Sequence, residues 1–298
     1  MLLRNTCLAT IGTLAALASG MASPATAQPA MAQQPPSDGV CPAQEANSAD
    51  NVALLNQLMV EPRKIASFAD LLKALPPEAM AKLATMQKTA FDRQAKDWAY
   101  LCRYAAENAQ VLASRVRTRV VFIGDSITEN WKVGDPSLFS ATMLDRGIGG
   151  QTSPQILLRF YQDVVALHPR VVHIMAGVND IMGNTGPTSD DAIVNNIRAM
   201  IDMAKANGIS VVLAGITPCK QFIARPGHDL SPRIAAVNRK LVLLAAQRHV
   251  TFVDYSAPLA AGDGSLKSAL ANDGLHPNRD GYALMRPLTE RAIARATR

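Results

Sequence analysis

The sequence predicts an α/β fold in which helices cover both faces of a parallel sheet. From Arg119 onward, short apolar runs alternate with longer helical patterns, which is typical of strands joined by crossover helices. The first of these runs, which begins at Val120, is apolar over four consecutive residues, as expected for a strand buried on both faces. We therefore predict a three-layer α/β/α sandwich whose central parallel sheet has about five strands.

The individual elements follow from these apolar and helical patterns. Five runs mark the predicted strands, the second of them weaker than the others: Val120–Ile123, Thr142–Leu144, Val171–Met175, Ser210–Ile216 and Val250–Val253. Helical patterns lie between and after them: Ser153–Ala166, Asp190–Asn207, Ser231–His249 and Asp280–Ala296. In sheets of this kind ligands bind beyond the carboxyl ends of the strands. The residues that follow each run are therefore the candidates for a functional site.

The first residues have the pattern of a secretory signal. Arg4 precedes an apolar run from Cys7 to Ala18, and the small-residue sequence Ala25-Thr26-Ala27 follows. A positive start, a short apolar run and a small-x-small site are typical of a cleavable signal peptide. The run is shorter than the roughly 20 residues of a membrane-spanning helix. We predict a signal peptide over residues 1–27, cleavage after Ala27, and a periplasmic or secreted mature protein.

Three further segments follow the predicted signal peptide. Residues 28–46 are rich in Pro, Gln and Ala and are predicted to be a flexible linker. Residues 47–114 repeat apolar side chains at helical spacing, which predicts a helical N-terminal segment. Its last helix is expected to run from the prolines at 76–77 towards Cys102. Residues 115–298 are predicted to form the α/β domain.

Cysteine usage predicts one disulfide. The chain has four cysteines, and loss of the signal peptide would remove Cys7. An odd number in an oxidising compartment usually means one pair and one leftover thiol. Cys41 and Cys102 both precede the first predicted strand, so we predict that they pair, whereas Cys219 is expected to be a half-buried apolar residue. The alternative is that Cys102 packs as a small apolar side chain and Cys41 stays free.

Charge and ligand spacing predict neither a nucleic-acid partner nor a metal. The net charge of +6 is modest and spread along the chain, whereas nucleic-acid binding needs a concentrated basic surface. No pair of cysteines or group of histidines has the spacing of metal ligands. We therefore expect no nucleic-acid partner and no metal or other cofactor.

Residues able to catalyse acyl transfer follow four of the five predicted strands. Ser126 follows the first strand, Gly150 the second and Asn179 the third, while Asp273 and His276 come after the fifth. Acyl transfer needs a hydroxyl, an imidazole to accept its proton, and a carboxylate to orient that imidazole. It also needs donors that face the developing oxyanion, which the backbone N–H of Gly150 and the amide of Asn179 can supply.

Each of these residues also has a simpler interpretation. Ser126 could cap the next helix, and Asp273 and Asn179 could be turn residues. The glycines around Gly150 could form a turn, although their spacing differs from a dinucleotide fingerprint. Thr128 stands where the nucleophile elbow of α/β-hydrolases requires glycine, which argues against that fold. Five such coincidences at strand ends are less plausible than one site.

Four sequence blocks resemble the motifs of the GDSL/SGNH hydrolases: "GDSITENW", "RGIGGQT", "GVND" and "DGLHP". The sequence is most similar to the bacterial acylhydrolases of the platelet-activating-factor acetylhydrolase and lysophospholipase L1-like branch, over about Arg119 to Ala296. The resemblance implies a flavodoxin-like three-layer domain. Ile127 replaces the leucine of the family's name, which is an exchange between apolar residues.

The resemblance also implies the roles of individual residues. Ser126 would be the nucleophile, His276 the base, and Asp273 the residue that orients His276. The backbones of Ser126 and Gly150 and the side chain of Asn179 would form the oxyanion hole. The resulting prediction is an exported serine esterase that hydrolyses short-chain acyl esters of small molecules, carbohydrates or lipids and needs no cofactor. The alternatives are an O-acyltransferase acting on cell-envelope carbohydrate and a non-catalytic carbohydrate-binding protein.

Overall fold

A computed structural model describes residues 95–114, 116–223 and 225–298, together with the single residues Cys41, Asp70, Lys73, Pro77 and Ala81. The predicted signal peptide, and all of the predicted linker except Cys41, lie outside the described residues. Most of the predicted helical segment 47–114 lies outside them as well.

The described chain contains a five-stranded parallel sheet, as predicted. Its strands are β1 (Val120–Gly124), β2 (Met143–Gly147), β3 (Val171–Met175), β4 (Ser210–Ala214) and β5 (Thr251–Val253). Their order is β2-β1-β3-β4-β5, and all neighbours are parallel. This is the flavodoxin-like strand order, in which the direction of strand addition reverses between β1 and β3. The loops that follow β2, β1 and β3 are therefore neighbours at one edge of the sheet.

Helices cover the sheet on both faces and give the predicted three layers. They are α1 (Ala105–Ala113), α2 (Ser126–Gly134), α3 (Ser153–Asp163), α4 (Val178–Ile181), α5 (Asp190–Ala206), α6 (Ser231–Arg248), α7 (Ser256–Leu259) and α8 (Arg279–Ala296). Short 3₁₀ turns lie at Pro136–Leu138 and Val165–Leu167. Among the described helices none is both long and apolar enough to cross a membrane.

The core lies between the sheet and these helices. The strand residues Val120–Gly124 and Val171–Met175 are buried on both faces, which explains why their sequences are apolar without alternation. Trp131 packs against Tyr282 in a stacked arrangement with ring centroids 5.5 Å apart, and the edge of Trp131 meets Phe122 at 5.8 Å. These aromatic contacts fix α2 and α8 against the face of β1 and so hold the start of α2 at the strand end.

The segment just before β1 differs from its prediction in one respect. The predicted helix was expected to continue to Cys102, but residues 97–104 form turns, and α1 begins only at Ala105. Asp97 accepts hydrogen bonds from the backbone N–H groups of Leu101 at 2.8 Å and Cys102 at 3.1 Å. This aspartate closes a local turn that competes with the helix. We refer to residues 97–104 as the arm.

The predicted disulfide is confirmed. Cys41 is bonded to Cys102, and their Cα atoms lie 5.4 Å apart, within the range that a disulfide requires. Cys219 is a buried free cysteine, and burial raises the pKa of its thiol to about 12. Its predicted role as an apolar residue is confirmed, and its burial is complete rather than partial.

Candidate active site

Ser126 lies at the junction between β1 and α2. It is the first residue of that helix, and the preceding Asp125 caps the helix by accepting the N–H of Ile127 at 3.0 Å. The N–H groups of the first turn have no acceptor within the helix, and the helix dipole favours negative charge there. Ser126 is 3% exposed. The strand-to-helix turn therefore places a hydroxyl beside backbone N–H donors in a largely enclosed position.

His276 and Asp273 lie together in one tight turn after β5. The Nδ1 atom of His276 is 2.6 Å from Oδ2 of Asp273, and its Nε2 atom is 2.8 Å from Oγ of Ser126. Oδ1 of Asp273 accepts the backbone N–H groups of Leu275 at 2.9 Å and His276 at 2.8 Å. The structure thus brings the three predicted residues into one hydrogen-bonded chain, while their catalytic roles stay predictions.

The environment of Asp273 keeps its carboxylate charged. Burial disfavours the charged form, but His276 and the N–H groups of the turn outweigh that cost, so the pKa of Asp273 lies below its usual range. Gly274 has a φ of +81°, and a Cβ at this position would lie 2.3 Å from the carbonyl oxygen of Gln221. Only glycine fits there. The rings of Phe222 and His276 make a T-shaped contact, with centroids 5.8 Å apart.

In the loop after β2, which carries Gly150, almost every backbone N–H donates a hydrogen bond. Gly147 donates to Oδ1 of Asp145 at 2.7 Å, Ile148 to the carbonyl of Gly124 at 3.1 Å, and Gly149 to Oε2 of Glu129 at 2.7 Å. Gly150 adopts a φ of +75°. Within the described chain the N–H of Gly150 donates to no group, so this one donor of the loop is available for a ligand.

Asn179 follows β3 and joins the same network. Its side-chain nitrogen donates to the carbonyl of Gln151 at 2.9 Å, and its side-chain oxygen accepts from Asn184 at 2.8 Å. One N–H of the Asn179 amide thus has no acceptor among the residues that the structure describes. Because β1 lies between β2 and β3, Ser126 lies between the loops that carry Gly150 and Asn179. All five predicted site residues therefore meet at one edge of the sheet.

Arg159 ties the ends of β1 and β2 together beneath the site. Its side chain is fully buried. One terminal nitrogen donates to the carbonyl of Arg146 at 2.8 Å, the other to that of Gly124 at 2.8 Å, and Nε donates to Gln151 at 2.6 Å. Asp163 balances the charge at 3.0 Å. Arg159 thus satisfies strand-end carbonyls that would otherwise be buried without a partner.

The arm packs against the loop that carries Gly150. The hydroxyl of Tyr104 donates to the carbonyl of Gly147 at 2.5 Å, and the side chain of Gln151 donates to the carbonyl of Ala99 at 2.7 Å. The side chain of Gln155 donates to the carbonyl of Trp98 at 2.7 Å. Burial raises the pKa of Tyr104 well above its usual value, so its phenol stays protonated and remains a donor.

Burial shifts two carboxyl groups near the site towards their neutral form. Burial raises the pKa of Asp125 to about 7, partly opposed by the N–H of Ile127 and the nearby His276. Burial also raises the pKa of Glu129 well above its usual range, despite the attraction of Arg103. A neutral carboxyl places no negative charge beside atoms where a reaction would develop one. In the described part of the chain no group of three potential ligands could hold a metal ion.

Comparison with known proteins identifies the family. The family model of the GDSL-like lipase/acylhydrolase family matches residues 122–284, which is more than half of the chain. The chain belongs to this family. The resemblance predicted from the four motif blocks is thereby confirmed, and the protein is an ester hydrolase of the GDSL type. No curated protein matches the chain.

Solved structures of bacterial proteins support this assignment. A protein from Bacteroides fragilis described as an acylhydrolase is 40% identical over 68% of this chain and 99% of its own, with a TM-score of 0.64. A GDSL-like lipase from Bacteroides thetaiotaomicron is 39% identical over 67% of this chain and 100% of its own, with a TM-score of 0.64. A protein described as a platelet activating factor from Streptococcus pneumonia shares the fold, at 23% identity over 72% of this chain and 99% of its own, with a TM-score of 0.59.

Several residues that shape the site were not identified from the sequence. Tyr104 falls in a segment predicted to be helical, and Asn184 lies in a turn-rich stretch that carries no periodic pattern. Arg225, which donates a hydrogen bond to the side-chain oxygen of Asn184, lies in the loop between β4 and α6, whose conformation the pattern does not define. Arg159 offered one signal, since it occupies an inward-facing position between Ile156 and Phe160 on an amphipathic helix. A charged residue on such a face indicates a buried polar contact.

Proposed function

We propose that the protein hydrolyses short-chain acyl esters of carbohydrates or lipids through an acyl-enzyme intermediate on Ser126. The observation that carries the proposal is the hydrogen-bonded chain from Ser126 through His276 to Asp273. Family membership supports ester hydrolysis, and the contacts of these three side chains support their roles. No cofactor enters the proposed reaction.

The reaction begins when Oγ of Ser126 attacks the ester carbonyl and His276 accepts its proton at Nε2. Asp273 keeps Nδ1 of His276 protonated and stabilises the imidazolium that forms. The backbone N–H groups of Ser126 and Gly150 and the free amide N–H of Asn179 bind the tetrahedral oxyanion. His276 then donates its proton to the departing alcohol, leaving the acyl group on Ser126. Water, deprotonated by His276, hydrolyses this intermediate by the same steps.

Enclosure of the reacting groups favours a small acyl chain. Ser126 and His276 are each only 3% exposed, and Phe222 packs on the imidazole. The segment that carries Phe222 is tied to the catalytic turn, because the N–H of Ile223 donates to the carbonyl of Asp273 at 3.0 Å. We expect a long acyl chain, but not an acetyl group, to displace this segment.

Replacement of Ser126 by alanine tests the nucleophile. The variant should lose at least about 10⁴-fold in kcat on 4-nitrophenyl acetate, while its unfolding free energy changes by less than about 1 kcal/mol. Ser231→Ala is the matched control, because Ser231 is also the first residue of a helix and its hydroxyl also bonds a neighbouring side chain. A folded Ser126→Ala protein with near-wild-type turnover would refute the proposal.

A substrate series tests the acyl chain length and the acceptor. Nitrophenyl esters from acetyl to dodecanoyl, followed by acetylated xylan and a lysophospholipid, should show kcat/KM falling as the chain lengthens. The same reactions with a free sugar present, analysed by mass spectrometry, measure transfer to carbohydrate. Acetate as the main product supports hydrolysis, and acetylated sugar as the main product would reassign the enzyme as a transferase.

We also propose that the protein is exported and cleaved after Ala27, with residues 28–46 and 47–114 as linker and N-terminal segment of the domain 115–298. The Cys41–Cys102 disulfide supports an oxidising compartment. Expression of the full chain followed by N-terminal mass analysis of the exported fraction tests the cleavage site. Full-length protein retained in the cytoplasm would contradict it.

A further inference from the structure

The side chain of Asn184 bridges two of the proposed oxyanion donors. Its side-chain nitrogen donates to the carbonyl oxygen of Gly150 at 2.9 Å and to the side-chain oxygen of Asn179 at 2.8 Å. Its own backbone N–H donates to the carbonyl of Asn179 at 3.0 Å. Asn184 therefore contacts the loop after β2 and the loop after β3 at the same time.

The orientation of this amide is fixed by its partners. A terminal nitrogen of Arg225 donates to the side-chain oxygen of Asn184 at 2.7 Å, and a guanidinium is only a donor. The oxygen of Asn184 must therefore face Arg225, and its nitrogen must face the two loops. The two hydrogens of that nitrogen are matched by its two acceptors. Arg225 is itself held by a second hydrogen bond to the carbonyl of Met182.

The same contacts determine how the Asn179 amide is turned. Its oxygen accepts from Asn184 and its nitrogen donates one hydrogen to the carbonyl of Gln151. The second hydrogen of that nitrogen is therefore left to face a ligand. Loss of the Asn184 donor would allow the Asn179 amide to rotate. It would also release the carbonyl of Gly150, and the backbone N–H of that same residue is the other free donor of the site.

We propose that Asn184 is a positioning residue that sets the geometry of the oxyanion hole through Gly150 and Asn179, with Arg225 holding its orientation. The inference rests on the proposed function, because it assumes that these two donors bind the oxyanion. Asn184 does not itself bind substrate. Loss of Asn184 should destabilise the transition state more than the bound substrate, because a displaced or rotated donor stabilises the developing negative charge less well.

Two substitutions at this position separate the loss of the hydrogen-bond donors from the loss of side-chain volume. Asn184→Ala removes the bridge, and Asn184→Asp keeps the shape but places oxygen against the two oxygen acceptors. Both should lower kcat about 10- to 100-fold, the scale of a modest displacement of catalytic groups, with KM changed less than about threefold. The inhibition constant of a trifluoromethyl ketone, which forms a tetrahedral adduct with the serine, should rise by a factor similar to the loss in kcat.

Asn238→Ala is the matched control. Asn238 is also half-buried and makes two hydrogen bonds to the main chain, both with Ile216 and both 2.8 Å long. Its loss should lower the unfolding free energy while changing kcat and the ketone constant by less than about twofold. Equal losses of kcat and ketone affinity in Asn238→Ala and Asn184→Ala would overturn the inference, because they would show a general response to a lost buried amide.

A double mutant tests whether Asn184 acts through Asn179. Residues that act through one another give non-additive effects, so Asn184→Ala should cost less in kcat when Asn179 is already alanine. Wild-type kcat and ketone affinity in both Asn184 variants would overturn the inference, as would full additivity with Asn179→Ala. A different result, activity in Ser126→Ala, would refute the proposed function instead, so the two failures are distinguishable.

Discussion

The two halves of the site are built in opposite ways. The Asp273–His276 turn is local: its carboxylate accepts the N–H groups of Leu275 and His276 and the imidazole within three residues of itself. The Gly147–Gln151 loop is assembled from distant parts of the chain. Its contacts come from the arm, the start of α2, helix α3, and the turn after β3.

This difference shows where each half is vulnerable. A local turn depends on a few residues, so a single change should have a large effect on catalysis and little effect elsewhere. An assembled loop spreads its support over many contacts, so removal of one contact should cost less, and part of the cost should appear as stability. Substitutions in the two halves, taken from the largest expected effect to the smallest, test this comparison.

The local half should respond most strongly, to Asp273→Asn. The new amide would present an N–H to Nδ1 of His276, so the proton of the ring would move to Nε2, which faces Ser126 at 2.8 Å. That nitrogen could no longer accept the serine proton. We expect kcat to fall about 10³- to 10⁴-fold, measured on 4-nitrophenyl acetate. A loss below about tenfold would show that the turn is not the sole support of His276.

The next largest effect is expected from Asn179→Ala, which removes a proposed oxyanion donor whose amide contacts the Gly147–Gln151 loop. In the proposed mechanism its amide N–H binds charge that exists only in the transition state, so kcat should fall about 10²- to 10³-fold with little change in KM. The measurement is the full dependence of rate on substrate concentration. A rise in KM at unchanged kcat would mean that Asn179 binds the substrate before reaction.

The smallest catalytic effect should come from Tyr104→Phe, in the arm. The variant leaves the buried carbonyl of Gly147 without its hydroxyl donor, which should cost about 1–3 kcal/mol of unfolding free energy. Other contacts still hold the loop, so kcat should fall less than about tenfold. Urea unfolding and initial rates measure the two effects.

Tyr255→Phe is the control for this prediction. Tyr255 is a buried tyrosine whose hydroxyl lies 2.6 Å from Thr289 and 2.9 Å from His173, away from the loop. It should lose comparable stability and keep its kcat. A loss of kcat in Tyr104→Phe as large as that in Asn179→Ala would break the comparison, because one support would then control the assembled half.

Much of the fold follows from local patterns in the sequence. Runs such as Val171–Met175 are apolar throughout because the strand is buried on both faces, and the predicted and observed bounds coincide there. Helix α3 begins at Ser153 as predicted, because Thr152 and Gln155 form a capping box. The arm was predicted wrongly because the Asp97 turn, closed by its side chain, is not visible in apolar periodicity.

The same difference between local and distant contacts separates the site residues that could be predicted from the sequence from those that could not. Ser126, Gly150, Asn179, Asp273 and His276 could be named because each follows a strand, and strand ends meet in a parallel sheet. Their supports could not be named, because Tyr104 and Asn184 act through contacts between residues far apart in sequence. Tyr104 lies 43 residues from Gly147, and Asn184 lies 34 residues from Gly150. No local pattern encodes such a pairing.

The position of the disulfide bears on how the chain acquires its native structure. If the signal peptide that contains Cys7 is removed on export, as proposed, the two native partners Cys41 and Cys102 cross the membrane before Cys219. In an exported chain they could be oxidised before a wrong partner exists. Once β4 has joined the sheet, burial keeps the Cys219 thiol protonated, with a pKa of about 12, and a protonated thiol does not attack disulfides. The Cys41–Cys102 disulfide can then form before Cys219 competes for either partner, and it is protected from later thiol–disulfide exchange.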